Sequence, residues 1–269
     1  MSEELLIGHF NAHEHEHNIH PELLPEKVDE AVRSLIKNLL ETQRNKIGYG
    51  LSAEVHYPVE NPGLCFKIIS FREASGRHIP PPRVPITTEK SPSDSRDGYL
   101  EPDKEGEFLD ELCDERDLVI VPEPCCWAKY EAEFEGDTYF SKESLMILAM
   151  ERLNAVSIKE VLEGDKELPE SFDINKFFLA LRTYLYKIMH NKGIHHRDLH
   201  EGNIMIDIES GKPCIIDFGK SSYGSSEDVY TFEFNDRGHV KQGEFTHDED
   251  FVDEIEQKII RFLADSRKN

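Results

Sequence analysis

Three oxygen-bearing side chains between His195 and Gly219 restrict this chain more than any other feature. Asp198, Asn203 and Asp217 follow one another at intervals of five and fourteen residues. Two short apolar runs, Asn203 to Ile208 and Pro213 to Ile216, flank a Glu-Ser-Gly turn, the pattern of a β-hairpin. Phosphoryl transfer from a nucleotide needs a carboxylate to orient a hydroxyl and accept its proton, and hard oxygen ligands to hold Mg²⁺ on the phosphates. Asp198 suits the first role, Asn203 and Asp217 the second.

Composition excludes several partners. Lys and Arg number 31 against 54 Asp and Glu, a formal charge of −23. A surface so acidic repels both a phosphate backbone and an anionic bilayer, so neither nucleic acid nor a membrane is expected as partner. No apolar run approaches the ~20 residues that span a bilayer. The opening MSEELLIGHF lacks a basic segment followed by an apolar one, so a cytoplasmic setting is expected. Five cysteines, odd in number and without metal-ligand spacing, read as reduced thiols of that setting.

At 269 residues the chain is long enough for one large domain or two lobes. Residues 1–44 read as an N-terminal extension. Its end, with His9, His13, His15, His17 and His20, is expected to be solvated and mobile. An amphipathic helix follows from Pro25 to about Thr42. Residues 45–153 carry β-like runs at Gly48–Tyr57, Leu64–Ile69, 117–121, 125–133 and 144–151, and a helix at 102–114. Five of the fourteen prolines fall within 74–98, which predicts an insertion loop. Residues 154–269 hold a long helix over 173–192, the hairpin, and a last helix over 248–264 that opens with Asp248, Glu249 and Asp250. The expected class is α+β, with a β-rich first half and a helical second half.

His196-Arg-Asp-Leu-x-x-x-Asn203 resembles the catalytic loop of protein kinases, and Asp217-Phe-Gly219 resembles their metal-binding triplet. The resemblance extends upstream. Gly48-Tyr-Gly50-Leu-Ser-Ala-Glu-Val55 is similar to the glycine-rich loop over the ATP phosphates, with Ala53 in place of the third glycine. Lys67 matches the lysine that grips the α- and β-phosphates. Glu105, in Glu105-Gly-Glu-Phe-Leu-Asp-Glu-Leu112, matches its carboxylate partner, with Glu107 as the alternative. Met150-Glu151-Arg152-Leu153 resembles the hinge that meets adenine, which Val55 and Met205 would sandwich. The resemblance implies a two-lobed protein kinase-like fold with a β-rich N-lobe and a reduced helical C-lobe. It also implies ATP and Mg²⁺ as cofactors, Asp198, Lys67 and Glu105 as the catalytic set, and Asn203 and Asp217 as the metal ligands. Asp250 stays open between two readings: an anchor for the loop backbone, or a plain acid at a helix start.

The chain also departs from that pattern. His200 stands two after Asp198, where serine/threonine kinases usually carry Lys, and Asp-Leu-His-x-Gly-Asn is nearer to haspin-like and aminoglycoside phosphotransferase-like enzymes. No Ala-Pro-Glu follows Gly219. The shortened form is similar to the minimal kinases of secreted bacterial effectors, whose setting is a host cytosol, and to the small kinase of the tRNA-modifying KEOPS complex. The expected activity is transfer of the γ-phosphate of ATP to Ser or Thr of a protein substrate, with an activating partner protein as a further expectation. A small-molecule kinase is the alternative that His200 favours. A pseudokinase-like binding module is the other, and its mark would be a lost catalytic residue; none is lost.

Overall fold

The computed structural model describes residues 2–10, 24–43, 52–75, 102–135, 140–224, 230–234, 240–244 and 248–266. Gly48, Gly50, the histidines from His13 to His20 and the proline-rich stretch from residue 76 onward lie outside the described residues. The chain divides into two compact units, with the change after Arg152. Residues Glu111–Pro122 count with the second unit.

The first unit holds β1 (Ser2–His9), α1 (Pro25–Gln43), β2 (Ser52–His56), β3 (Leu64–Ser75), α2 (Pro102–Leu112, up to Asp110), β4 (Pro124–Glu135) and β5 (Phe140–Glu151). The strands form one antiparallel sheet in the order β1-β4-β5-β3-β2. Alternate residues of three strands supply one apolar face: Leu64, Phe66 and Ile68; Cys126, Ala128 and Tyr130; Leu145, Ile147 and Ala149. Val28, Ala31, Val32 and Ile36 of α1 recur at helical spacing and are buried in that same core. Because side chains alternate along a strand, Lys67, between Phe66 and Ile68, points to the opposite face.

The first residues are not the solvated end that their polarity suggested. Ser2–His9 pair along their whole length with β4, from Ser2 opposite Glu133 to His9 opposite Cys126. Leu5 and Ile7 pack against the core, and the strand covers an edge that β4 would otherwise leave open. Phe10, next in the chain, lies against α2 so closely that a Cβ on Gly106 would overlap its ring. That contact accounts for a glycine inside a helix, where it normally costs about 1 kcal/mol relative to alanine.

The second unit holds β6 (Ala155–Ser157), α3 (Ile158–Leu162), α4 (Ile174–Tyr184), β7 (Ile194–His195), β8 (Ile204–Asp207), β9 (Pro213–Ile215), β10 (Ser222–Tyr223), β11 (Tyr230–Phe234), β12 (Val240–Glu244) and α5 (Asp248–Ser266). The predicted hairpin is β8–β9, extended by β6 into three antiparallel strands. Gly211 turns it with φ near +70°, a conformation that favours glycine. Ser157 and Glu160 close a reciprocal cap on α3, and Asp173 caps α4.

The single helix predicted over 173–192 is α-helical only to Tyr184. It widens into a π turn over Leu185–Met189, tightens into a 3₁₀ turn, and ends at Gly193 with φ near +72°. Its stripe of Phe177, Phe178, Leu181, Tyr184, Leu185 and Met189 is buried throughout. The run 117–121 makes no strand. It forms one parallel bridge, Ile120 to Cys214, before Pro122 and Pro124 remove two backbone donors. No described helix is long and apolar enough to cross a membrane.

Candidate active site

In the first unit Lys67 on β3 and Glu105 in the first turn of α2 form one buried pair. The Lys67 ammonium donates to both Glu105 oxygens, at 2.9 Å to Oε1 and 2.7 Å to Oε2, with Lys67 7% and Glu105 1% exposed. Glu107 is instead exposed and paired with Lys104 on its own helix, at 2.7 Å. Helical spacing explains the choice: Glu105 shares a face with the buried Phe108, Leu109 and Leu112, whereas Glu107 points away. Val55 on β2 stands opposite Lys67 and is half exposed. Met150 and Glu151 end β5, opposite Cys65 and Leu64 of β3. The Glu151 amide donates to Glu123 O at 2.8 Å and the Arg152 amide to Gly63 O at 2.7 Å, so strands on both sides fix this segment.

In the second unit the loop from His195 to Asn203 is shaped mainly by its own backbone. The Asn203 side-chain amide donates to Asp198 O at 2.9 Å. The amides of His200 and Asn203 donate to Asp198 O and His200 O, each at 2.9 Å, and Ile216 N returns to Asn203 O at 3.0 Å. Asn203 therefore bridges the loop and the far end of the hairpin, immediately before Asp217. Because its nitrogen is committed to Asp198, its oxygen is the atom left to act as a ligand.

Two residues here hold positive φ without being glycine, Arg197 at 64° and Asp217 at 62°. Such backbone persists only where its surroundings over-determine it. For Arg197 the restraint is Asp248, 3% exposed at the start of α5: Oδ2 accepts from the His196 amide at 2.8 Å and Oδ1 from the Arg197 amide at 2.9 Å. Burial pushes the Asp248 carboxyl upward. The His190 ring, 3.6 Å away, and the hydrogen bonds from those two amides outweigh it and hold the group below its ordinary value. Of the two readings of Asp250, the loop anchor falls to Asp248, and Asp250 is an exposed residue of α5.

Full burial lowers the His196 pKa, so the ring stays neutral. Its Nε2 lies 3.0 Å from Ile216 O and donates to it, and the ring packs on Phe218 at 4.7 Å between centroids. Around Asp198, Oδ2 lies 2.8 Å from the Lys220 ammonium and 4.0 Å from His200 Nε2. Met205 sits on β8 between Ser157 and Cys214, and Leu153 opens the second unit.

Residues 136–238, which contain the whole of this loop, the hairpin and the Asp217 triplet, match the protein kinase domain family. Over those residues the chain is similar to the protein kinase-like superfamily. The described residues are α+β, with the larger sheet in the first unit and most of the described helices in the second. Mitogen-activated protein kinase kinase 3 of Arabidopsis thaliana is 30% identical over 92 residues, 34% of this chain and 17% of that protein. Serine/threonine-protein kinase D of Synechocystis sp. is 33% identical over 82 residues, 30% of this chain and 15% of that one. The chain thus matches less than a fifth of the length of either relative. Among solved structures, the bifunctional kinase-methyltransferase WbdD is similar at a TM-score of 0.33 and 16% identity, over 61% of this chain and 29% of that one.

The residues that carry the kinase resemblance are found in separate groups: Lys67 with Glu105, and Asp198 with Asn203. Sequence reasoning missed Asp248 and Lys220. Asp248 lies in the same acidic triplet as Asp250, and only the direction of α5 separates them. Lys220 directly follows the metal-binding triplet, and its position beside Asp198 depends on the left-handed turn at Asp217.

Proposed function

We propose that this chain is an ATP-dependent protein kinase that phosphorylates Ser or Thr hydroxyls. The observation that carries the reading is the bond from the Asn203 amide to Asp198 O. It leaves the Asn203 amide oxygen to serve, together with the Asp217 carboxylate, as a hard oxygen donor of the kind that Mg²⁺ prefers. When bound, Mg²⁺ neutralises charge on the nucleotide phosphates. Lys67, oriented by Glu105, would bind phosphate oxygens. Asp198 would orient the acceptor hydroxyl and take its proton, while Asp248 keeps the loop in place. Most of the catalysis is then positioning and charge stabilisation.

A protein acceptor is supported by the His-Arg-Asp and Asp-Phe-Gly triplets, and serine/threonine specificity by the name of the Synechocystis relative. A second reading, a small-molecule kinase, draws on His200, whose Nδ1 accepts from the Gly202 amide at 3.0 Å within a tight turn. The test is transfer of radiolabelled γ-phosphate from ATP with Mg²⁺ to protein acceptors and to small aminoglycoside-like acceptors, with Asp198→Ala as control. Label on Ser or Thr, lost in Asp198→Ala, supports the first reading. Label on the small molecules alone supports the second, and no transfer to either sinks both.

A further inference from the structure

The carboxylate assigned to the acceptor hydroxyl already has a cation in contact with it. Lys220 Nζ lies 2.8 Å from Asp198 Oδ2, with the two side chains 33% and 20% exposed. His200 is turned toward the same oxygen. Because its Nδ1 accepts from the Gly202 amide, the proton of the neutral ring sits on Nε2, which faces Oδ2 at 4.0 Å. Asp198 Oδ2 is thus held by the Lys220 ammonium, with the His200 ring beyond hydrogen-bond distance, and no hydrogen bond to Oδ1 is made among the described residues. One carboxylate oxygen is held and the other remains for the hydroxyl.

Resting on the kinase reading above, we propose that Lys220 is the residue that binds the γ-phosphoryl group of ATP. In the transfer step the acceptor oxygen forms a bond to the γ-phosphorus as the bond from that phosphorus to the β–γ bridging oxygen breaks. The hydroxyl proton passes to Asp198, and ADP leaves with the electron pair of the broken bond. The acceptor oxygen must therefore touch both Asp198 and the γ-phosphorus. A cation 2.8 Å from Asp198 Oδ2 would lie beside the phosphoryl oxygens that carry charge in the transition state, where a fixed positive group is most effective. The ammonium has the reach for this, since it is a compact charge on a flexible four-carbon stem. Lys220 directly follows Asp217-Phe-Gly219, and Ser221 N, donating to Phe218 O at 2.9 Å, pins the backbone on its far side. Lys67 is already committed to Glu105 in a buried pair. Lys220 would thus be a cation of the second unit that holds the phosphoryl group being transferred.

The experiment compares Mg·ATP and Mg·ADP binding by calorimetry on the full chain, for wild type, Lys220→Ala and Lys220→Arg, with kcat measured alongside. Only ATP carries the γ-phosphate, so Lys220→Ala should weaken ATP by about tenfold or more and leave ADP within about twofold, the worth of one charge-assisted contact. Lys220→Arg should restore most of the ATP preference. Lys220→Gln, which keeps much of the stem's packing, replaces the alanine variant should that one fail to fold. An unchanged ATP-to-ADP ratio in Lys220→Ala, or equal loss of both nucleotides, overturns the proposal while leaving the kinase reading intact. A wild-type chain that binds neither nucleotide overturns the kinase reading and this proposal together.

Discussion

Lys67 and Asp198 are held in opposite ways. Lys67 is held by a side chain, Glu105, across 38 positions of sequence and in a buried setting. Asp198 sits on a loop whose shape comes from backbone hydrogen bonds and from Asp248, which grips two successive amides. A buried ion pair is weakened when either partner is removed, because the survivor keeps a buried charge without that counter-charge. A loop made of many backbone bonds survives loss of one functional side chain. Function and stability should therefore separate cleanly at Asp198 and be entangled at Lys67.

The largest effect tests the separable side. Asp198→Asn should lower kcat by ~10²–10⁴, the usual worth of a positioned acid–base group. Its melting temperature and ADP affinity should stay at wild-type values. Asp217→Asn should likewise depress transfer strongly, most of all at limiting Mg²⁺. Steady-state kinetics with calorimetric nucleotide binding decides: a large rise in ATP Kd with kcat preserved would remove Asp198 from its role.

The entangled side comes next. Lys67→Met or Glu105→Gln alone leaves one buried charge without its counterpart and should cost about 3–5 kcal/mol in denaturant unfolding. The double variant Lys67→Met with Glu105→Leu replaces the pair by apolar groups. It should recover much of that stability while remaining inactive. If the double variant is as unstable as the sum of the singles, the pair is not an isolated unit and the contrast with Asp198 collapses.

How far the sequence discloses such a contrast depends on whether the chemistry is local. Asp198, Asn203 and Asp217 are legible because neighbouring residues on one short stretch carry the pattern, and the hairpin between two of them has its own turn signal. Glu105 is legible at longer range because it lies on the apolar stripe of α2. β1 is not. Its residues read as polar, and only the open edge of β4, more than a hundred residues away, makes a strand of them. Asp248 and Asp250 are chemically alike and two positions apart, so the choice between them belongs to tertiary packing. Gly106 reads locally as a helix defect, and only the Phe10 ring gives it a reason.

The loop anchor offers a middle-sized test. Asp248→Asn keeps one acceptor oxygen but sets an NH₂ group against a backbone amide. It should cost about 1–3 kcal/mol, the penalty of an unsatisfied buried donor, and should lower kcat as well. Asp250→Asn, on an exposed position of the same helix, should stay within about 0.5 kcal/mol of wild type. Equal losses at the two positions would mean that the acidic start of α5 acts through its charge rather than through the two hydrogen bonds.

The smallest effect distinguishes the units by acid. Burial lowers the pKa of His196 and, less completely enclosed, of His195, so both rings are neutral in the folded chain where an unfolded chain would protonate them near 6.5. Below that value the unfolded state binds more protons, so stability falls as pH drops from about 6.5 toward the lower folded-state values. Asp248 acts with the same sign further into acid. Its folded-state pKa is depressed, so its contribution is complete above the ordinary carboxylate value of 3.8 and is lost as pH falls below it. Both imidazoles and Asp248 belong to the second unit, around the loop that carries Asp198. Amide protection factors, corrected for the intrinsic exchange rate at each pH, should therefore fall between pH 7 and 5 at His196 and Arg197 before they do on β3 beside Lys67. His196→Gln places an NH₂ donor near the position of Nε2 for Ile216 O but cannot titrate, so it should lower stability at pH 7 and flatten its decline toward pH 5. A decline in that variant as steep as in wild type would trace the acid sensitivity to groups away from the loop.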